Sequence, residues 1–316
     1  MWLPLFSFLS SIVACLERAE AFGAAKGAGE RLNSVGDSRR SSSFNQLSFS
    51  GGGSFGAVEI GIIKKISEME TPCKKYDLYT GISAGALNSG FLSYFDDIKS
   101  GIKFAEETYT HLDNRMIYKL EPLTGVSILN TEPLKKTLSS IINKMTNKPV
   151  VHTLIGATNL NSGNLDVYSF EDNTDEEKIQ LMMSSSAIPV LFPPITYNNY
   201  LYADGGTLSN ELLQIENNGK YTNITFISPY EGMIYQTDPI KSIKEMLERV
   251  ILIVTTNFNN PLVLLNQNCK NPVGEINKYF VNSKYLKEYN MMNFNHGKEL
   301  IDIGYKYMEH KKYVLC

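Results

Sequence analysis

Short β-prone apolar runs alternate along this chain with longer stretches whose apolar side chains recur every three or four residues. The first run, Leu47 and Phe49, ends at Ser50. A helical pattern follows through Val58, Ile62, Ile63, Ile66 and Met69, closed by Pro72. Leu78 and Tyr79 lead a second strand into Gly81-Ile82-Ser83-Ala84-Gly85, after which a small-residue helix runs to about Tyr94. Residues 98–145 read as helical, with Asn130-Thr131-Glu132-Pro133 as a helix start. Val150–Asn159 and Leu165–Phe170 read as strands joined by the turn Asn161-Ser162-Gly163-Asn164. Glu176–Ser186 is amphipathic and helical, interrupted by Pro189. Leu201 and Tyr202 then run into Ala203-Asp204-Gly205-Gly206. Asn223–Ser228 is a further strand, and Ile240–Thr256 and Gly274–Met308 carry helical patterns. Strands alternating with helices at this spacing predict an α/β fold with a mostly parallel sheet flanked by helices.

Residues 1–43 are different in kind. Leu3 to Leu16 is apolar apart from three serines, and Ala19-Glu20-Ala21 has the small-x-small form of a signal-peptidase site. Met1 and Trp2 supply no basic start, and Ile12-Val13-Ala14-Cys15 only loosely matches a lipoprotein box. Four of the six arginines lie before residue 41. The segment reads as signal-like or disordered, followed by a linker, with a folded unit over 44–316. Secretion, membrane anchoring and a cytoplasmic location are all compatible with it.

Composition narrows the partners. A net charge of −3 without a concentrated basic face argues against nucleic acid. The four cysteines, Cys15, Cys73, Cys269 and Cys316, are scattered, with no CxxC or His/Cys cluster, so neither a metal site nor a disulfide framework is indicated. Asn223-Ile224-Thr225 matches a glycosylation sequon but falls in an expected strand, where it should be silent.

Three motifs carry candidate chemistry. In Gly81-Ile82-Ser83-Ala84-Gly85 a serine sits on a sharp strand-to-helix corner, which only tiny neighbours two residues either side permit. The following helix N-terminus favours developing negative charge there. In Gly51-Gly52-Gly53-Ser54-Phe55-Gly56 the glycines free main-chain N–H groups to line an anion-binding concavity, for an ester oxyanion or for a pyrophosphate. A Walker loop is excluded, because Ala57-Val58 stands where Lys-Ser/Thr is required. Asp204-Gly205-Gly206 ends a strand as the serine corner does, and its acid could accept the serine proton if desolvation raises its pKa.

The order of these motifs resembles the patatin-like phospholipase family. Ala157-Thr158-Asn159, Ser185-Ser186-Ala187-Ile188-Pro189, Phe192-Pro193-Pro194 and Asn210 match it as well, over about residues 46–230. The resemblance implies a three-layer α/β/α sandwich and a Ser–Asp dyad without histidine. By position, Ser83 is the nucleophile, Asp204 the base and Gly51, Gly52 and Gly53 the oxyanion hole, with Gly56, Gly81, Gly85, Gly205 and Gly206 shaping the turns. It implies lipid acyl-ester hydrolysis without a cofactor or catalytic metal, and transient contact with a membrane surface. Leu87, Phe91, Leu191 and Phe192 are expected to hold acyl chains. Phe55 departs from the family, many members having a basic residue there, and residues 231–316 carry no motif.

Three other readings compete. Gly51-x-Gly53-x-x-Gly56, with Asp77 21 residues beyond Gly56, fits a dinucleotide fingerprint. Ser83, Asp204 and His296 stand in the chain order of a Ser-His-Asp hydrolase. Phe55 motivates a non-catalytic lipid-binding relative.

Overall fold

Leu47 and Phe49 alternate with Gln46 and Ser48 on the first strand, and all four are buried, so both faces of this strand are covered. In a computed structural model, the described residues are 43–70, 73–121, 125–215, 220–232, 234, 239–258 and 273–315. They fall within the unit Ser42–Cys316. The expectations for the signal-like segment and linker, for Pro72, and for Cys15, Cys269 and Cys316 lie outside the described residues.

The strands are β1 (Ser43–Phe49), β2 (Leu78–Ile82), β3 (Lys119–Leu120), β4 (Leu129–Asn130), β5 (His152–Asn159) and β6 (Leu165–Ser169), then β7 (Ile195–Tyr197), β8 (Tyr200–Ala203), β9 (Tyr221–Ile227), β10 (Gly274–Val281) and β11 (Met308–Leu315). The main sheet runs β11-β10-β9-β1-β2-β5-β8-β7, with β6 also paired to β5, and β3–β4 form a separate ladder. β10, β9, β1, β2 and β5 are parallel neighbours, and the remaining pairs are antiparallel. This is a mostly parallel α/β/α arrangement. The glycine loop, the serine corner and the acid turn follow β1, β2 and β8.

Polar side chains on one face of the sheet tie the acid turn to the first two strands. The Leu212 carbonyl accepts from Gln46 Nε2 at 2.9 Å, Ser48 Oγ at 3.1 Å and Thr80 Oγ1 at 2.6 Å. Gln214 N–H returns a bond to Gln46 Oε1 at 3.0 Å. Buried polar groups need such partners, and meeting that need pins residues 210–214 beside the glycine loop. The helix Gly56–Met69 packs closely on Gly297–Tyr307. A Cβ on Gly61 would lie 2.0 Å from the Ile301 carbonyl oxygen, and one on Gly304 2.1 Å from that of Val58.

Two stretches differ from the helical patterns expected. Residues 98–145 form two main helices, Ile98–His111 and Glu132–Ile142, separated by a short turn of helix (Asn114–Ile117) and the β3–β4 ladder. Gly274–Met308 is not one helix: it holds β10, 3₁₀ turns and the helix Gly297–Tyr307, and β11 follows. The C-terminal part therefore extends the sheet. Along β10, Gly274, Ile276, Lys278 and Phe280 are buried while Glu275, Asn277 and Tyr279 are half-buried. Lys278, paired with Glu231 at 3.4 Å, puts a charge at an inward position and masks the period of two. β11 is a polar edge strand rich in lysine, a composition suited to an unpaired edge.

Candidate active site

Ser83 has φ 54° and ψ −121°, a backbone region L-residues seldom adopt. The corner that imposes it has no room for side chains. A Cβ on Gly81 would lie 2.1 Å from the Gly85 carbonyl oxygen, and one on Gly85 2.4 Å from that of Phe49. The Ser83 N–H donates to Ser185 Oγ at 2.9 Å, and Ser185 Oγ donates to the Gly156 carbonyl at 2.7 Å. The helix Asp175–Ser185 and strand β5 thus hold the corner from behind.

Ser83 and Asp204, 121 residues apart, are brought into direct contact: Ser83 Oγ donates to Asp204 Oδ2 at 2.7 Å. Gly206 N–H donates to Asp204 Oδ1 at 2.7 Å. The Asp204 main chain is fixed as well, its N–H on the Ala187 carbonyl at 2.8 Å and its carbonyl accepting from Thr158 Oγ1 at 2.9 Å. A Cβ on Gly205 would lie 2.7 Å from the Gly156 carbonyl oxygen, which explains the glycine. Burial pushes the Asp204 carboxyl up to about 6, opposed by the hydrogen bonds from Ser83 and Gly206. Neither Ser83 nor Asp204 has a histidine partner among the described residues.

The three loop glycines are not equivalent. Gly51 N–H donates to Asn210 Oδ1 and the Gly51 carbonyl accepts from Asn210 Nδ2, each at 3.1 Å. The Gly51 amide is therefore engaged by Asn210. The amides of Gly52 and Gly53 have no acceptor among the described residues. Gly53, at φ +58°, is held where a Cβ would lie 2.4 Å from the Met291 carbonyl oxygen, the same oxygen that accepts from Ser54 N–H at 2.8 Å. Gly56 admits the close approach of Tyr109 and Ala84. Phe55 is buried, its ring edge-on to Tyr230 at 5.8 Å, so this departure from the family is a core contact.

Behind the loop lies a buried carboxylate the sequence reading passed over. Glu59 Oε1 accepts from Ser50 N–H at 3.0 Å and Oε2 from Asn88 Nδ2 at 2.8 Å. Tyr109 donates to Asn88 Oδ1 at 2.9 Å. Asn210, Ser185 and Thr158 were visible only as parts of matching blocks. Their partners lie 29 to 159 residues away, and no local pattern announces such contacts.

An apolar cavity of about 60 Å³ opens beside Ser83. Gly53, Ser83 and Ala84 line it together with apolar side chains that include Leu87, Phe91, Leu134, Leu138, Ile188, Phe192 and Phe294. Leu87, Phe91 and Phe192 are where acyl-chain contacts were expected. Leu191 is instead in the core, its carbonyl accepting from Leu129 N–H at 2.9 Å.

Two competing readings fail on geometry. Asp77 precedes β2 whereas the glycine loop follows the parallel strand β1. They stand at opposite ends of the sheet, while a ribose-binding acid belongs at the same end as the loop. Asp77 accepts from Asn45 N–H at 2.9 Å. His296 caps the helix Gly297–Tyr307 at the surface, with Glu299 at 3.9 Å and Tyr289 edge-on to its ring. Asn223 lies within β9 between two neighbouring strands, as the sequon reading requires.

Residues 47–215 match the family model described as patatin-like phospholipase. A probable lipid hydrolase, 463L, of Invertebrate iridescent virus 6 is 29% identical over 136 residues, covering 43% of this chain and 40% of that protein. The chain thus spans well under half of the length of that curated relative. Among solved structures, VipD from Legionella pneumophila aligns with a TM-score of 0.42 at 14% identity, over 93% of this chain and 74% of VipD. The heterodimeric complex ExoU-SpcU of the type III secretion system of Pseudomonas aeruginosa aligns with a TM-score of 0.34 at 11% identity, over 85% of this chain and 53% of that one.

Proposed function

The chain belongs to the patatin-like phospholipase family, and from that premise we propose that it is a serine lipid acyl hydrolase working through Ser83 and Asp204. The observation that carries this reading is the 2.7 Å hydrogen bond from Ser83 Oγ to a buried carboxylate, made by a serine on a strained corner in the wall of an apolar cavity. A lipid ester enters with its acyl chain along Leu87, Phe91 and Phe192. Ser83 Oγ attacks the carbonyl carbon as its proton passes to Asp204 Oδ2. The oxyanion takes hydrogen bonds from the Gly52 and Gly53 amides. As the tetrahedral intermediate collapses, the ester C–O bond breaks and the leaving alcohol takes the proton from Asp204. Water then attacks the acyl-enzyme, Asp204 accepts its proton, and the fatty acid departs while Ser83 regains its hydrogen.

Desolvation suits Asp204 to this role. A carboxylate titrating near 6 is a better proton acceptor than an exposed one and is still ionised at neutral pH. The testing experiment is labelling by a fluorophosphonate probe together with hydrolysis of a chromogenic medium-chain ester. The parent is expected to do both, Ser83→Ala neither, and Asp204→Asn to lose turnover by at least about a hundredfold. Full ester turnover in Ser83→Ala would end the reading, and a collapse in His296→Ala would move it to a triad.

A further inference from the structure

Two segments beyond the stretch 47–215 that matches the family model close on the glycine loop. A Cβ on Gly52 would lie 2.8 Å from Pro229 Cγ, and Phe55 meets Tyr230 edge-on. The tighter contact is at Gly53 and Ser54. The Met291 carbonyl accepts from Ser54 N–H at 2.8 Å, and its oxygen lies 2.4 Å from where a Gly53 Cβ would be. The Asn290 carbonyl accepts from Ser54 Oγ at 3.1 Å. Two successive carbonyls thus fix Ser54, and Gly53 before it is kept at φ +58°, where a side chain would be strained. The direction of a main-chain N–H follows from the φ of its own residue and the ψ of the one before. The contact with Met291 therefore sets where the Gly53 amide points.

The two carbonyls are held in turn by the Asn290 side chain. Its Oδ1 accepts from Met292 N–H at 2.7 Å, and its Nδ2 donates to Glu248 Oε2 at 3.2 Å. Glu248 is buried on the helix Ile243–Phe258, and its other oxygen is paired with Lys244. The Met292 carbonyl accepts from the Tyr118 hydroxyl at 2.8 Å, which fixes the far side of the segment. Neither Asn290 nor Glu248 lines the cavity beside Ser83, whereas Gly53 does. We propose that Asn290 is a positioning residue for ester hydrolysis: braced by Glu248, it holds the Asn290 and Met291 carbonyls where they aim the Gly53 amide at the oxyanion. This role rests on the acyl-hydrolase reading. It makes residues 231–316, which carry no motif, the part of the chain that completes the oxyanion loop.

The test reverses the polarity of the brace in the full chain. Asn290→Asp keeps an acceptor for Met292 N–H but sets a second carboxylate against Glu248. Glu248→Gln leaves an amide that cannot serve both Lys244 and Asn290, each of which donates to it. Together the two changes restore the match, because the new amide donates to the new carboxylate while its oxygen still accepts from Lys244. Each single variant should lower kcat for a soluble short-chain ester about ten- to hundredfold, the scale of a misplaced oxyanion donor. KM should stay within about twofold of the parent, and the double variant should recover most of kcat. An acyl trifluoromethyl ketone reads the oxyanion directly: Ser83 Oγ adds to its carbonyl carbon as the serine proton passes to Asp204. Its affinity should fall in each single variant by the same factor as kcat/KM. Parental kcat and ketone affinity in Asn290→Asp would overturn the positioning role. So would a double variant no better than the worse single one, or a loss carried by KM with ketone affinity unchanged. If the single variants do not fold, Ser54→Ala decides, since it removes only the hydroxyl held by the Asn290 carbonyl. A fall in kcat and ketone affinity of about three- to tenfold is expected there, and parental values would overturn the role. A parent that neither hydrolyses the ester nor binds the ketone would instead sink the hydrolase reading, and this role with it.

Discussion

Asn210 grips Gly51 from both sides of one residue, its Oδ1 on the glycine N–H and its Nδ2 on the carbonyl, each at 3.1 Å. A Cβ on Gly51 would lie 2.2 Å from Asn210 Oδ1 and 3.0 Å from Ser83 Cβ, so the loop, the amide and the serine corner meet there. Asn210→Ala should release the loop and lower kcat by about ten- to hundredfold, the scale of a small misplacement of a catalytic group. Asn210→Asp should do worse at neutral pH. Asn210 Oδ1 and Asp204 Oδ1 both lie 3.0 Å from the position a Gly206 Cβ would take, so a second carboxylate would push the Asp204 pKa further up. The checks are kcat for both variants and a pH–rate profile for Asn210→Asp, which should move to higher pH. An unchanged kcat in Asn210→Ala would remove the grip from the mechanism.

The pH dependence of the parent follows from Asp204. Its carboxyl titrates near 6 because burial disfavours the charged form, and only the ionised form can take the serine proton. The rate should therefore rise with pH, reach half of its plateau near pH 6, and stay flat through neutrality. Stability should run the other way. A carboxyl held above its ordinary 3.8 binds its proton longer in the folded state, so its contribution is present below about 4 and lost as pH climbs through 6. Asp204→Asn is expected to be inactive yet more stable than the parent at pH 7.5, by up to about 3 kcal/mol less whatever the lost hydrogen bonds contributed. That gain should shrink toward zero at pH 4. Thermal melts at the two pH values decide the point, and a variant less stable than the parent at pH 7.5 would contradict it.

The parts of the site legible in the sequence are those where geometry tolerates one residue type. Gly81 and Gly85 cannot carry a Cβ, and the serine between them is held at a dihedral few residues adopt, so motif and chemistry arrive together. The acid turn is similar, with Gly205 pressed against the Gly156 carbonyl. What stayed hidden depends on contacts between distant segments. The Gly51 amide reads as free until Asn210 is seen on it. Asp77 has the right spacing for a ribose-binding acid, but spacing cannot tell the two ends of a strand apart. Lys278 on the inner face of β10 and the polar edge β11 erased the alternation that marks strands.

Ser185 is the most direct support of Ser83, the proposed nucleophile. Its hydroxyl accepts the Ser83 N–H at 2.9 Å while donating to the Gly156 carbonyl at 2.7 Å. Ser185→Ala would leave both groups buried without a partner, a cost of about 1–3 kcal/mol in stability. Because Ser185 is absent from the cavity wall, kcat for a soluble ester should fall and KM should stay near that of the parent. Ser185→Thr keeps the hydroxyl and should recover most of kcat. A loss carried by KM alone would show that the residue shapes the cavity instead.

Glu59 completes the frame from beneath. It is fully buried and has no cation partner among the described residues, and burial holds its pKa well above the ordinary carboxylate range. Its two oxygens nonetheless hold Ser50 N–H at 3.0 Å, next to the glycine loop, and the Asn88 amide at 2.8 Å, itself bonded to the cavity residue Tyr109. Glu59→Ala removes one acceptor each from Ser50 N–H and Asn88 Nδ2, which keep the Ile227 and Gly56 carbonyls at 3.0 and 3.1 Å, and should destabilise the protein by about 1–3 kcal/mol. Glu59→Gln keeps the shape and an acceptor for Ser50 but gives up the bond to Asn88, whose Nδ2 stays on the Gly56 carbonyl at 3.1 Å. The distinguishing feature is the response to pH. Ionising the glutamate in the folded state costs free energy, so the parent should lose stability relative to Glu59→Gln as pH rises above 4.5, its ordinary value, and the two should converge below it. Urea unfolding of both proteins at pH 4 and pH 8 measures this. A parent that gains on the glutamine variant as pH rises would mean that the carboxylate is stabilised by a partner, not buried at a cost.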